Sequence, residues 1–322
     1  FGGATLHFKR YDTEGNEDAG FEAAIMPKLP NDILIKTMTV DAKTGTIFIV
    51  GMDSIGSNHA YAVTEKGHNN FTLSNDFGLG LASVIGSGST IQTAAAYNGA
   101  LFFTVPSASS GSFGMENKLV AVKAELSGSS LTPTKKDEKT LPKLRPAGAF
   151  GNYLTNCTGL FADESGVYCL LKEQNLGSGT LYALGQLVRY QYSGSAFTGE
   201  TKIGLNPAAS TADPIAFNAQ YFSNPVGFIG YDEENLYIAD DGVGIQYVNE
   251  NYHVNGNKNR IAAFNRKTNE ITFTDTEATW YGQKPEYKYP NTKILLWEKG
   301  DGSSVYGMKY WLSGDGSNVS PS

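Results

Sequence analysis

The 322-residue sequence predicts an all-β chain built from four-stranded antiparallel units, and three observations predict it. Gly (37 residues) and the aromatics Tyr (18) and Phe (17) are abundant while charged residues reach only 18 %, a balance suited to strands joined by many turns. One turn-plus-strand signature recurs along the chain. A second hairpin follows most copies of it. Two hairpins make four antiparallel strands, the blade of a β-propeller. The expected fold is therefore a single β-propeller domain over residues 1–322.

The signature is a turn carrying Asp, Asn or Gly, followed by an aliphatic–aromatic pair that opens an apolar strand. Its copies begin at Asp41, Tyr97, Asp163, Asp232 and Asp301. Their aromatics fall at Phe48, Phe102, Tyr168, Tyr237 and Tyr306, at intervals of 54, 66, 69 and 69 residues. The second hairpin opens on Ala60-Tyr61-Ala62-Val63, Leu119-Val120-Ala121-Val122, Leu187-Val188-Arg189-Tyr190 and Ile261-Ala262-Ala263-Phe264. Short closing strands follow, such as Phe71-Thr72-Leu73 and Ile271-Thr272-Phe273. Stretches near 133–155, 200–222 and 276–292 have room for further strands.

The ends differ from the middle. The copy at Tyr306 has only its first hairpin, whereas the opening segment around Leu6–Tyr11, with a turn at Glu14-Gly15-Asn16, reads as a second hairpin without a first. The expectation is five blades, with six as the next count. The last blade would close the ring by pairing the N- and C-terminal segments, which removes exposed strand edges.

Charge and motifs bound the function. A net charge of −7 argues against nucleic acid as the main partner. The basic group Lys135, Lys136 and Lys139 is diluted by Asp137 and Glu138 and reads as a solvated loop. No apolar run reaches the ~18 residues of a membrane helix. The chain opens on Phe1-Gly2-Gly3 in place of Met, which suggests a mature form with its signal or anchor removed. The expected location is extracytoplasmic: periplasmic, cell-surface or secreted. A monomer is expected. Cys157 and Cys169 fit no metal or redox spacing and read either as a cross-strand disulfide or as two buried thiols. His7, His59, His68 and His253 lack metal-binding spacing, and Gly86-Ser87-Gly88-Ser89 lacks the Lys of a phosphate loop. The sequons at Asn70, Asn156 and Asn318 are of chance frequency in so Asn-, Ser- and Thr-rich a chain.

In the fourth unit, Leu236-Tyr237-Ile238-Ala239-Asp240 followed by Asn259-Arg260-Ile261-Ala262-Ala263-Phe264 resembles the NHL-repeat core, and more loosely the gluconolactonase-like propellers. The loop between the two halves is longer here, and the other units lack Ala-Asp. The resemblance covers one blade in five, implies the propeller fold and transfers no active site.

A site is expected where the long loops gather. The connections between second and third strands, near 51–58, 106–117, 172–182 and 240–259, are long, while turns such as 14–16 and 266–269 are short. Insertions thus fall on one rim, the common place for a binding face. The longest carries Tyr247, Asn251, Tyr252 and His253, suited to stacking on and hydrogen-bonding a sugar or peptide, or to packing over their own blade. Asp53 is a further rim candidate. Asp240 and Asp241 are candidate Ca²⁺ ligands, although Asp-Asp-Gly is also ordinary turn chemistry. The leading function is a non-enzymatic, exported bacterial propeller that binds a protein or carbohydrate. Its rivals are a metal-dependent hydrolase or lactonase, which needs acidic ligands converging from several blades, and a structural module of a larger surface protein.

Overall fold

The fold is that of a computed structural model, which describes residues 8–12, 16–29, 33–86, 89, 91, 93–107, 116–145, 153–175, 184–210, 218–248, 251–275, 293–298 and 305–310. The chain is all-β with antiparallel sheets, as its composition predicts. Sheet 1 runs β1 (Leu34–Val40), β2 (Ile47–Met52), β3 (Asn58–Glu65), β4 (Phe71–Leu73). Sheet 2 runs β5 (Thr93–Tyr97), β6 (Ala100–Ser107), β7 (Glu116–Lys123). A small hairpin, β8 (Leu126–Ser127) and β9 (Ser130–Leu131), then precedes its outer strand β10 (Thr134–Thr140). Sheet 3 is β11 (Tyr153–Asp163), β12 (Gly166–Asn175), β13 (Gly185–Tyr192) and β14 (Phe197–Ile203). Sheet 4 is β15 (Pro225–Tyr231), β16 (Asn235–Val248), β17 (Asn251–Asn265) and β18 (Ile271–Asp275). A two-stranded hairpin, β19 (Lys293–Glu298) and β20 (Val305–Tyr310), follows.

Every signature aromatic lies on the second strand of its sheet: Phe48 on β2, Phe102 on β6, Tyr168 on β12, Tyr237 on β16 and Tyr306 on β20. The turn residues explain the hairpins. Between β5 and β6, Asn98 (φ 51°) and Gly99 (φ 76°) both adopt positive φ. That is the two-residue Asn-Gly turn whose twist matches the strands it joins. At the β11–β12 turn a Cβ on Gly166 (φ 138°) would lie 2.2 Å from the Tyr190 carbonyl oxygen, so only glycine fits.

Alternation along the central strands places the core between successive sheets. Phe48, Val50, Ala60 and Ala62 of sheet 1 pack with Leu101, Phe103, Val120 and Val122 of sheet 2. The residues between them point the other way: Phe102, Leu119 and Ala121 pack with Cys169, Leu171, Val188 and Tyr190 of sheet 3. Tyr168, Leu170 and Leu187 then meet Leu236, Ile238, Ala262 and Phe264 of sheet 4. Four sheets therefore stack face to face in chain order.

In the N-terminal segment the chain turns back between Asp12 and Asn16 as expected, with the Asp12 and Asp18 N–H groups donating to the Asn16 and Arg10 carbonyls, but a helix follows. Tyr11 and Glu17 form an isolated bridge, and Asp18 caps helix α1 (Ala19–Ile25) by accepting from the Gly20 N–H. Phe21 and Ile25, one turn apart, bury with Phe8 and Leu29 against Ile49, Val63 and Phe71, on the face of sheet 1 turned away from sheet 2. Arg10 locks the packing through Asp18 (2.7 Å), Glu65 (2.6 Å) and the face of Phe21 (4.7 Å). This segment covers sheet 1. Among the described residues no ladder joins it to β19–β20, and β19 lies beside β15; the expected closure runs partly through 1–7 and 311–322, which lie outside the described residues.

Three further corrections concern strands and helices. The Lys135–Lys139 stretch is the outer strand β10, not a loop. It pairs with β7, and Glu138 bridges Lys118 (3.1 Å) and Lys135 (2.5 Å), since an exposed edge strand tolerates charge. A second helix, α2 (Gly78–Ile85), fills the step from sheet 1 to sheet 2 with Leu81 buried. The expected 240–259 loop is a continuation of β16 and β17, because Val243, Ile245 and Tyr247 alternate with small and polar residues.

Candidate functional site

The second strand of each full sheet ends, and the third begins, at one common rim. Hydrogen-bonded polar side chains gather there on every full sheet, partly exposed on sheet 1 and buried on sheets 2, 3 and 4. On sheet 1, Asp53 leaves β2 and its carboxylate accepts from the N–H groups of Ile55 (3.0 Å) and Ser57 (2.8 Å). His59, at the start of β3, stands between Asp76 (Nδ1, 2.6 Å) and Asp53 (Nε2, 3.2 Å). Asp76 is held in place by the N–H groups of Ala60 (3.0 Å) and Gly78 (2.9 Å). The hydrogen bond to Asp76, with a smaller contribution from Asp53, raises the His59 pKa; the N–H of Ser57 and His59 lower that of Asp53. On sheet 2, the buried Asn117 donates to the Thr155 carbonyl of sheet 3.

Sheets 3 and 4 carry buried ion pairs. Arg145 meets Glu173, at the end of β12, with both ends of its guanidinium fork, the Nη2–Oε1 contact being 2.9 Å. Arg260 meets Asp240 through Nε (3.0 Å) and Nη2 (2.8 Å), the two residues being register partners on β17 and β16. The Asp240 carboxylate also accepts from the N–H groups of Ser223 (3.1 Å) and Asn224 (2.6 Å). The guanidinium donates to the carbonyls of Ala219 (2.7 Å) and Tyr221 and lies 3.8 Å from the Phe273 ring centroid. Burial raises the Asp240 carboxyl pKa, and Arg260 opposes the shift.

The Ca²⁺ expectation at Asp240 is corrected by this geometry. Its charge is neutralised by an arginine and its oxygens take four N–H donors, so a cation binding there would have to displace Arg260. Asp241 is the register partner of Asn259 at the base of the β16–β17 extension, and nothing further of its side chain is described. Among the described residues no group of three or more His, Cys, Asp or Glu is arranged to hold a metal.

The other rim residues expected from sequence converge. Tyr247 pairs with Tyr252, Gln246 with His253 and Val248 with Asn251, all at the tip of the β16–β17 hairpin. Asp53 belongs instead to sheet 1 with His59. The flanking strands stop short of the tip: β15 reaches Asp240, and β18 reaches Arg260. Beyond that ion pair, 241–248 and 251–259 form a two-stranded ribbon with no further ladder partner among the described residues. Sequence reasoning missed Asp76, Asn117 and the Arg145–Glu173 pair. The signal for Glu173 was present, a lone acid closing the apolar run Val167–Leu171, but its partner sits 28 residues away in an irregular stretch.

Among solved structures, the chain is similar at 11 % identity to a GH43_1 enzyme from Xanthomonas citri complexed with xylose, over 94 % of this chain and 96 % of that one (TM-score 0.41). It is similar at 12 % identity to the six-bladed β-propeller lectin of Aleuria aurantia, over 91 % of this chain and 80 % of that one (TM-score 0.38). It is 31 % identical over 130 residues to the 53 kDa membrane antigen A of Treponema denticola, covering 38 % of this chain and 26 % of that protein. The chain thus spans about a quarter of that relative's length. The NHL-like stretch falls within a segment with another likeness: residues 155–289, which span sheet 3 and sheet 4 with its ribbon, match the family described as the TdpA C-terminal domain.

Proposed function

We propose that the chain is a non-enzymatic binding module with β-propeller architecture, acting at the bacterial cell surface, and that the β16–β17 ribbon is its contact element. The observation that carries this reading is the ribbon itself. It projects past the last partners of β15 and β18, with Tyr247 opposite Tyr252 near its tip. A two-stranded ribbon with open edges offers main-chain hydrogen bonds to a partner strand, and tyrosines supply rigid contact area. The rim chemistry agrees. Glu173 and Asp240 are each bound to an arginine, an arrangement that fixes structure and leaves neither carboxylate poised as a general acid or metal ligand. The face-to-face succession of sheets supports the propeller. The Treponema relative, named a membrane antigen, supports the location.

The test is retention on a panel of immobilised proteins and polysaccharides, comparing the wild-type chain with the Tyr247→Ala/Tyr252→Ala variant. Loss of two interface tyrosines should weaken capture by about tenfold or more with thermal unfolding unchanged. Equal capture by both proteins removes the ribbon from the reading. Protease accessibility on intact cells making the full-length protein tests the location.

A further inference from the structure

The face opposite the long-loop rim is made of short turns, and it holds a cleft of about 660 Å³ between the turns of sheets 1, 2 and 3. Asp41, fully buried, holds one wall together from behind. Its carboxylate accepts from the N–H groups of Lys43 (2.9 Å) in its own turn and of Asn98 (2.9 Å) and Gly99 (2.8 Å) in the next sheet. Tyr97, Tyr192 and Phe102 supply the apolar surface, with Tyr192 packed edge-on against Phe102 at 5.0 Å.

The polar groups of the cleft divide into spent and available. Lys123 is paired with Glu125 (2.7 Å) and Asp163 with Arg266 (2.6 Å). Lys43 and Lys136 line the same cleft, exposed, with no ion pair to their ammonium groups among the described residues. Glu164 likewise stands without an ion pair there. The Tyr192 hydroxyl is buried, so it is the ring that the cleft meets.

We propose that this cleft binds a carboxylate-bearing saccharide of one or two residues. The volume suits a ligand of that size. Lys43 and Lys136 take carboxylates, Glu164 takes sugar hydroxyls, and the tyrosine rings meet the apolar face of the pyranose. Charge sets the class. Two lysines and one carboxylate of the lining are left without an ion pair among the described residues, so the site favours single carboxylates, one to each lysine. A phosphate group, with about −1.5 to −2 charge, would meet the acidic side as well as the basic one. This site is independent of the ribbon.

The experiment is calorimetric titration of the full chain with digalacturonic acid, galactobiose and inorganic phosphate at low ionic strength. The expected result is saturable binding of digalacturonic acid, at least about tenfold tighter than galactobiose or phosphate and weakened by added salt. Lys43→Ala/Lys136→Ala should abolish that preference. Tyr192→Phe, which keeps the ring, should leave binding of both sugars unchanged, whereas Tyr97→Ala should weaken both, with thermal unfolding run on each variant to confirm folding. Tyr247→Ala/Tyr252→Ala should leave the titration unchanged. Absence of saturable binding by digalacturonic acid, equal affinity for the two sugars, tighter binding of phosphate, or insensitivity to the lysine replacements overturns the proposal.

Discussion

Asp240 and Arg260 face each other as register partners across the β16–β17 ladder and as a buried ion pair, at the level where the ribbon leaves sheet 4. Neither is replaceable alone. Asp240→Asn or Arg260→Met strands the other charge in a site with 5 % or less side-chain exposure, and should cost about 3–5 kcal/mol in chemical denaturation. The double replacement, which removes both charges, should recover most of that loss. A single variant as stable as wild type refutes the assignment.

Asp41 joins two sheets at the opposite face. Removing its carboxylate leaves the N–H groups of Asn98 and Gly99 without their acceptor. Asp41→Ala should destabilise the fold by about 2–4 kcal/mol, and Asp41→Asn by less, because one amide oxygen still accepts. Urea midpoints of the three proteins give the comparison, and equal midpoints contradict the inter-sheet role.

His59 makes stability depend on pH through Asp76 and Asp53. Its folded pKa lies above the ordinary 6.5, so its contribution is complete below pH 6.5 and is lost as the pH rises through the folded value. The melting-temperature difference between wild type and His59→Gln should therefore be largest on the acid side of that window and shrink on the alkaline side. A difference that grows with pH has the wrong sign for this arrangement.

Cys157 and Cys169 are free thiols, both buried in the core between sheets 2 and 3, which selects the second of the two sequence readings. The native protein should react slowly with an aromatic disulfide reagent, and two thiols should titrate after denaturation without reductant. Finding none under those conditions establishes a disulfide instead.

The sheets were legible because their signals are local. Asn98-Gly99 demands a tight turn, and the aliphatic–aromatic pairs mark strands, buried on both faces at Phe48, Phe102 and Tyr168 and on one face at Tyr237. Period-2 alternation in 241–248 was legible too, but Asp-Asp-Gly at its start reads equally as a turn, and the ribbon passed for a loop. The N-terminal segment misled for a related reason. Phe8 suits a strand, yet what fixes this segment is Phe21 and Ile25 on α1, seated on a sheet face whose need for cover no local pattern announces. The rim pairs were invisible because their members are distant in sequence: Arg145 reaches Glu173 from the link between sheets 2 and 3, and Asp76 meets His59 where the chain leaves β4 beside β3. The short-turn cleft escaped for the same cause, its lysines coming from two sheets and its phenol from a third.

Binding without turnover is the central claim, and the fate of a captured ligand tests it most directly. The full chain would be incubated with each saccharide or protein it retains, with and without added Ca²⁺, and the ligand analysed by mass spectrometry. Recovery of the ligand intact, in both conditions and at long times, is the result expected of a binding module. Shortened, ring-opened or otherwise cleaved product, formed by the wild-type chain and dependent on the added ion, contradicts the account and restores the hydrolase reading.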